Sequence, residues 1–197
     1  MIGRISNQPN SRGFTLFEVL VISGIGLLVM SFTIPTISAV VASAKLGASM
    51  TSLSGLLQNC RMVAVQENKT KTAYVVQSSG GLVGYIKDAT GGTTLSQTDY
   101  QIKMEAPILR YTSLMGVAGA PTALTSTELG FTPQTTIPSF NSRGLPCHYA
   151  SGICTSYGFI SYYKDTRIDG SDGWAAISIS PAGRIKRWFW RNSTWGD

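Results

Sequence analysis

The chain has one histidine and three cysteines among its 197 residues, and only 13% of its residues are charged. One histidine excludes a histidine-rich metal centre, and three cysteines are too few for a zinc site made of four thiolates. The sequence contains no nucleophile elbow, no metalloprotease helix motif and no phosphate-binding loop. Because no catalytic set is visible, we expect a protein that is not an enzyme and that needs no cofactor.

The remaining composition indicates a folded, basic protein. Hydrophobic residues make up 43% of the chain, enough to fill a core, and 16 basic against 10 acidic residues give a formal net charge of +6. This charge permits an acidic partner such as nucleic acid or a lipid surface but does not establish one. The apolar residues are concentrated near the N-terminus, and the 21 glycines with many serines and threonines predict a turn-rich β segment elsewhere.

The N-terminal segment is the strongest local pattern in the sequence. Residues 14–44 contain a single charged residue, Glu18. As a helix this segment has a length of about 46 Å at ~1.5 Å per residue, which is enough to span a bilayer. Arg4 and Arg12 precede it. By the positive-inside rule these arginines predict a cytoplasmic N-terminus and an exported C-terminal part.

Three interpretations compete for this segment. A secretory signal would use the small residues 42–44 as its cleavage site, but the apolar run is longer than the usual ~7–15 residues. A plain membrane anchor leaves Glu18 unexplained, since a carboxylate in a lipid-facing helix costs ~2.5–3.5 kcal/mol on insertion scales. Cleavage between Gly13 and Phe14 would create an amino group, and a neighbouring copy's amino group could then neutralise Glu18 in an apolar packing layer.

The residues Gly13-Phe14-Thr15-Leu16-Phe17-Glu18, followed by an apolar helix that contains Pro35, resemble the prepilin signature of type IV pilins and type II secretion pseudopilins. The resemblance implies that a membrane-bound prepilin peptidase cleaves after Gly13 and N-methylates Phe14. It also implies that Glu18 guides each subunit into a helical filament with other pilin subunits. The implied architecture is the type IV pilin fold, an α+β fold with a long N-terminal helix packed on a C-terminal antiparallel β-sheet head.

We therefore expect a leader peptide at residues 1–13, a hydrophobic transmembrane and filament-core helix at 14–42, and a periplasmic globular head at 43–197. An apolar stripe at helical spacing predicts that the helix continues to about residue 69. The stripe consists of Leu46, Met50, Leu53, Leu57, Cys60 and Ala64. Its simplest interpretation is core packing.

The rest of the head reads as short strands separated by Gly, Ser, Thr and Pro clusters, which predicts an antiparallel sheet. The predicted strands are 73–77, 82–87, 101–104, 109–112, 128–131, 159–163, 174–180 and 185–190. Residues 113–145 read as a long loop. Ser180-Pro181-Ala182-Gly183 has a β-turn pattern and predicts that the last two strands form a hairpin. The segments 61–65 and 178–184 resemble the FimT/GspH branch of minor pilins and pseudopilins.

Two cysteines, Cys147 and Cys154, are seven residues apart in a segment with glycine and serine. An exported domain lies in an oxidising compartment, so we expect them to form a disulfide. A metal site that includes His148 is the lesser alternative, because the spacing is unlike that of common zinc sites. Cys60 lies on the apolar stripe, where a free thiol behaves as a small hydrophobic side chain.

The C-terminal segment 183–191 combines four cations and three aromatic rings without an acidic residue. In an extended strand alternate residues share a face. One face then carries Arg184, Lys186, Trp188 and Trp190, and the other carries Ile185, Arg187, Phe189 and Arg191. The cations could bind phosphates and the rings could stack on bases. The alternative is an edge strand whose rings close the core and whose cations keep the edge soluble.

FimT-like minor pilins of natural transformation bind DNA through a C-terminal Gly-Arg-x-Arg element, and Gly183-Arg184-Ile185-Lys186-Arg187 is similar to it. Lys186 replaces the second arginine, so the charge is kept and the bidentate fork is lost. The resemblance implies a minor pilin that waits in the inner membrane with its head in the periplasm, enters the pilus, and binds double-stranded DNA for uptake. The candidate DNA-binding residues are Arg184, Lys186, Arg187, Arg191, Trp188 and Trp190, with Arg143 as a weaker addition. The alternative is a structural minor pilin or type II secretion pseudopilin that primes filament assembly without binding DNA.

Overall fold

A computed structural model of the chain describes residues 14–78, 81–91, 93–95, 101–104, 108–168 and 172–196, with the side chains of residues 32–39 left out. The described chain is α+β, with one long apolar helix and two sheets. The predicted leader 1–13, including Gly13, lies outside the described residues. The chain divides into two units, Met1–Ser38 and Ala39–Asp197.

Helix α1 spans Leu16–Gln66. The hydroxyl of Thr15 caps its start by accepting a hydrogen bond from the backbone N–H of Glu18 at 3.2 Å. The carboxylate of Glu18 in the first turn also suits the positive end of the helix dipole. In the first unit the helix exposes large apolar side chains on every side. They include Leu16, Phe17, Val19, Leu20, Val21, Ile22, Ile25, Leu27, Leu28, Val29 and Met30.

In the described residues, one helix is long and apolar enough to cross a membrane. The segment that meets both criteria is Val40–Gln66, with a mean hydropathy of 1.2, and the segment Leu16–Ser31 is apolar but shorter. The buried core helix of a soluble protein can be equally long and apolar, and 39% of an 18-residue stretch within Val40–Gln66 is buried. The helix ends at Gln66, before Asn68 adopts a left-handed φ of 52°. The prediction that it continues to about residue 69 was therefore correct to within three residues.

Twelve strands and one short helix follow in the described residues. They are β1 (Lys71–Ser78), β2 (Gly81–Asp88), β3 (Gln101–Lys103), β4 (Ile108–Tyr111), α2 (Ser126–Leu129), β5 (Pro133–Gln134), β6 (Ser139–Phe140), β7 (Pro146–Ala150), β8 (Ile153–Ser156), β9 (Gly158–Asp165), β10 (Trp174–Ile179), β11 (Ile185–Arg191) and β12 (Thr194–Gly196). The first sheet has the order β3-β2-β1-β6-β7-β8 and the second has the order β12-β11-β10-β9-β4. Both are antiparallel, and β5 adds one short parallel pair to β9.

The core of the second unit consists of two buried clusters. The larger one joins the predicted stripe of α1 to residues of both sheets, among them Phe140, Phe159 and Ile177. Every member of that stripe is buried, which confirms the core interpretation. The smaller cluster contains Leu114, Leu124, Ile160, Tyr162, Trp174, Ala176 and Trp188, all of which lie outside helix α1.

The strand predicted at 128–131 is wrong, because residues 126–129 form helix α2. The hydroxyl of Thr125 accepts from the N–H of Glu128 at 3.3 Å, and the Glu128 carboxylate accepts from the N–H of Thr125 at 2.7 Å. This reciprocal capping box starts a helix. Gly130 then ends it with a φ of 77°.

An ion cluster connects the end of α1 to the first hairpin. Lys71 Nζ lies 2.5 Å from Glu67 Oε2 and 2.5 Å from Asp88 Oδ1. Burial alone would lower the pKa of Lys71, but the hydrogen bonds to Asp88 and Glu67 outweigh it and raise that pKa. The hydrogen bond from Lys71 lowers the pKa of Asp88. These charges therefore hold the start of β1 against the helix end.

Candidate nucleic-acid interface

The basic segment lies on a hairpin formed by β10 and β11, as predicted. Ile179 pairs with Ile185, and the N–H of Gly183 donates to the carbonyl of Ser180 at 2.8 Å to close the turn. Gly183 has a φ of 84°, a left-handed conformation that favours glycine. Strand β12 pairs with only the last part of β11, from Phe189 to Arg191.

One face of β11 is directed into the smaller core cluster. Trp188 is 9% exposed, and its indole N–H donates to Ser178 Oγ at 2.9 Å. Lys186 Nζ lies 3.7 Å from the centroid of the Trp188 ring, a cation–π arrangement. Trp190 packs edge-on against Trp195 with centroids 5.4 Å apart. Trp188 is therefore part of the core and presents no open ring face to a base, whereas Trp190 is partly buried and packs against that core.

The other face of β11 carries cations beside helix α1. Arg187 is exposed, and its Nη1 donates to Thr51 Oγ1 of the helix at 2.6 Å. Ile185 and Phe189 pack against the larger core cluster. Arg191 is exposed, and its guanidinium carbon lies 5.7 Å from the Phe189 centroid. The strand is thus anchored by apolar side chains while its arginines stay at the surface.

Sequence reasoning missed the part that Arg61 of α1 plays at this surface. Its Nη1 donates to the carbonyl of Gly183 at 3.4 Å. A Cβ built on Gly144 would lie 3.1 Å from Arg61 Cγ, so the backbone at Gly144 also lies against this side chain. Arg143 precedes Gly144 and Arg184 follows Gly183, so the weaker candidate Arg143 lies in the same region as the tail. We call Arg61, Arg143, Arg184, Arg187 and Arg191 the basic surface.

No ion pair within the described part of the chain neutralises the positive charge of the basic surface. All five of its arginines are exposed, and none of them forms a salt bridge with a described residue. The hydrogen bonds of Arg61 and Arg187 use neutral oxygen acceptors. Five positive charges on one helix, two turns and one strand are therefore available to an anionic partner.

The predicted disulfide is confirmed. Cys147 of β7 is bonded to Cys154 of β8, with Cα atoms 5.4 Å apart. Cys60 is a buried free cysteine, and burial raises the pKa of its thiol to about 12. In the described residues no group of three or more His, Cys, Asp or Glu side chains could hold a metal ion.

The candidate assembly residues lie at the start of α1. Phe14 is exposed just before the helix, and Glu18 is exposed in its first turn. Comparison with known proteins finds no matching family model, curated protein or solved structure. An N-terminal apolar helix followed by an antiparallel sheet unit is compatible with a pilin-like architecture.

Proposed function

We propose that this chain is a minor pilin of a type IV pilus and that it binds double-stranded DNA for uptake in natural transformation. The prepilin-like residues Gly13 to Glu18 and the apolar helix α1 support the pilin assignment. The observation that carries the DNA assignment is the basic surface, whose arginines are exposed and have no ion-pair partner in the described chain.

The chemistry of this surface suits the phosphate backbone. Guanidinium groups bind phosphate oxygens and release condensed counterions, so affinity depends steeply on salt and weakly on base sequence. Recognition of single strands normally relies on aromatic rings that stack on bases. Trp188 is buried and Lys186 lies over its ring, which favours a duplex as the ligand.

In this proposal, the residues at the start of α1 carry out filament assembly. Prepilin peptidase cleaves after Gly13 and N-methylates Phe14, and the protein waits in the inner membrane with its head in the periplasm. An exposed carboxylate in an apolar helix is costly in lipid unless it is paired. Glu18 pairs with the new amino group of a neighbouring subunit when the chain enters the filament.

A structural minor pilin or type II secretion pseudopilin that primes assembly without binding DNA is the second candidate. The burial of Trp188 in the smaller core cluster and the packing of Trp190 against that cluster favour it, because these rings contribute to the core. In this alternative the arginines only keep a partly uncovered strand soluble.

A mobility-shift titration of the full chain in detergent micelles, at two salt concentrations, tests the proposal. We expect a duplex of arbitrary sequence to shift at low salt. Replacing Arg184, Lys186 and Arg187 together by Gln should nearly abolish the shift and reduce the salt slope by about 2 to 3, since each phosphate contact contributes about 0.9.

The matched control replaces Lys69, Lys87 and Lys103 by Gln, which removes the same charge from the turn between α1 and β1 and from the first sheet. Thermal unfolding of both variants verifies that they fold. A control that loses binding as strongly as the tail variant would show that only net charge matters. A parent chain that shifts no DNA at low salt would favour the structural minor pilin.

A further inference from the structure

A second candidate site lies on the first sheet, apart from helix α1 and strand β11. It is a cleft of about 350 Å³, and the lining residues that matter here are Thr72, Tyr74, Ser139, His148 and Tyr149. They belong to β1, β6 and β7, which are neighbours in the sheet. None of the described residues that line the cleft is a lysine, arginine, aspartate or glutamate. Its chemistry is therefore mainly that of hydroxyl groups and aromatic rings.

Tyr74 provides an unused hydrogen-bonding group in this cleft. The residue is 8% exposed, and its hydroxyl makes no hydrogen bond to any described residue. Its ring stacks on Tyr85 with centroids 5.3 Å apart and planes 17° from parallel. The hydroxyl of Tyr85 in turn donates to the carbonyl of Thr93 at 2.5 Å. The Tyr74 ring is thus held in place while its hydroxyl remains available.

Two further hydroxyls lie beside it. Thr72 Oγ1 and Ser139 Oγ are 2.7 Å apart, and one donates to the other. Each residue is nearly buried. Each hydroxyl has one hydrogen and two lone pairs, so a single mutual bond leaves one hydrogen and several lone pairs free for a ligand. Thr72 pairs with Ser139 across the strands, which fixes their spacing.

The opposite wall is held by the disulfide. His148 and Tyr149 follow Cys147 on β7, and Tyr149 pairs directly with Cys154 of β8. Neither side chain hydrogen-bonds to another described residue. The covalent link between β7 and β8 limits how far the backbone of this wall can move.

We propose that this cleft binds one pyranose ring of a neutral glycan. A sugar presents several hydroxyl groups, which match the free groups of Tyr74, Thr72 and Ser139, and it presents C–H faces that pack on aromatic rings. The described lining residues include no lysine, arginine or carboxylate, which disfavours charged ligands. The volume lies at the lower end of the ~300–1,000 Å³ range of small-molecule sites, which suits a single ring.

Saturation-transfer NMR on the full chain, in a detergent without a sugar head group, tests the inference. The probes are methyl glycosides of glucose, mannose, galactose and N-acetylglucosamine at millimolar concentration. We expect at least one of them to bind. Tyr74→Phe removes only the unused hydroxyl and should weaken that binding about two- to tenfold, the range of one neutral hydrogen bond.

Tyr157→Phe is the matched control, since it removes a tyrosine hydroxyl away from the cleft and should leave binding unchanged. Tyr149→Ala should also weaken binding by removing an aromatic wall. Failure of all four glycosides to bind would overturn the inference. Equal binding by the parent chain and Tyr74→Phe would also overturn it. Added duplex DNA should not displace the glycoside, because none of the five arginines of the basic surface lines the cleft.

Discussion

Arg61 and Gly183 are 122 residues apart in sequence, and the guanidinium of Arg61 donates to the carbonyl oxygen of Gly183 at 3.4 Å. This contact fastens the β10–β11 turn to helix α1. It explains how a turn that carries Arg184 is positioned by a helix that precedes both sheets. The position of Arg184 in the basic surface therefore depends on the β10–β11 turn as well as on strand β11.

Gly183→Ala should weaken DNA binding through the turn. The φ of 84° strains any residue with a Cβ, and that Cβ would be in ordinary van der Waals contact with the Arg61 guanidinium carbon at 3.4 Å, so a shift of the backbone to relieve the strain would also move the contact to Arg61. We expect a loss of about 1–2 kcal/mol in unfolding free energy and several-fold weaker binding. Chemical denaturation and a mobility shift measure the two effects. Gly116→Ala is the control, since its φ of 77° imposes a similar strain with no atom within 4 Å of the Cβ. Equal loss of DNA binding in both variants would contradict the positional role of Gly183.

Asp165→Asn should destabilise the second sheet at neutral pH. The carboxylate is fully buried and accepts from Arg167 Nε at 3.0 Å and Arg167 Nη2 at 2.6 Å. Burial opposes ionisation, but these hydrogen bonds outweigh it and lower the pKa of Asp165. We expect a loss of about 1–3 kcal/mol at pH 7 by chemical denaturation.

The pH dependence supplies the control for this variant. Because the pKa of Asp165 is lower in the folded chain than in the unfolded chain, its ionised carboxylate stabilises the fold at pH values above the unfolded pKa of about 3.9. This stabilisation is lost as the pH falls through the lower pKa of the folded chain. The difference between parent chain and Asp165→Asn should therefore shrink below about pH 4. A difference that stays constant down to pH 2 would show that the ionised carboxylate is not the cause.

Reduction of the Cys147–Cys154 disulfide should lower the free energy of unfolding by about 2 kcal/mol, because the bond closes a short loop. Urea denaturation with and without reductant measures the change. The double variant Cys147→Ser, Cys154→Ser should show no response to reductant. A response in that variant would assign the effect to something other than the disulfide, since the remaining Cys60 is unpaired.

Glu18→Ala should leave membrane insertion intact and impair incorporation into filaments, since the proposal assigns this carboxylate to pairing between subunits. Fractionation of membranes and sheared pili measures the two steps. Glu128→Ala, which removes an acid from α2 in the second unit, is the matched control. Normal incorporation of Glu18→Ala would count against the docking role.

Periodicity was sufficient to predict the helix and its buried stripe. The stripe from Leu46 to Ala64 repeats every three to four residues over several turns, and a pattern of that length has few alternative structures. The longer strands β1, β2, β9, β10 and β11 were also predicted to within a few residues. In a long element, a few residues that depart from the pattern do not obscure it, so long elements are predicted well from the sequence.

Short elements were missed where the turn chemistry was not interpreted. The segment between the cysteines contains Ser151 and Gly152, which both have positive φ, as a two-residue hairpin turn of type I′ requires. Asn192 and Ser193 make the same kind of turn before β12. For α2, the capping box of Thr125 and Glu128 was the signal that should have replaced the strand prediction.

The position of Arg61 was beyond the reach of the sequence. Nothing local links it to a turn more than a hundred residues later, because the contact depends on how the helix and both sheets pack together. For the same reason, the sequence could not decide whether Trp188 is buried. Alternation along β11 placed it on one face, but only the packing of Leu124 and Tyr162 into the same cluster shows that this face is covered.

The apolar side chains of the first part of α1 surround the helix completely, from Leu16 through Met30. Such a cylinder has no lengthwise stripe that distinguishes a front from a back. A helix that lies in the plane of the lipid headgroups needs one polar face and one apolar face, and this segment lacks a polar face. Acyl chains or other helices of the same kind would contact apolar side chains on every side of this segment. The segment by itself therefore does not determine how many helices pack around it.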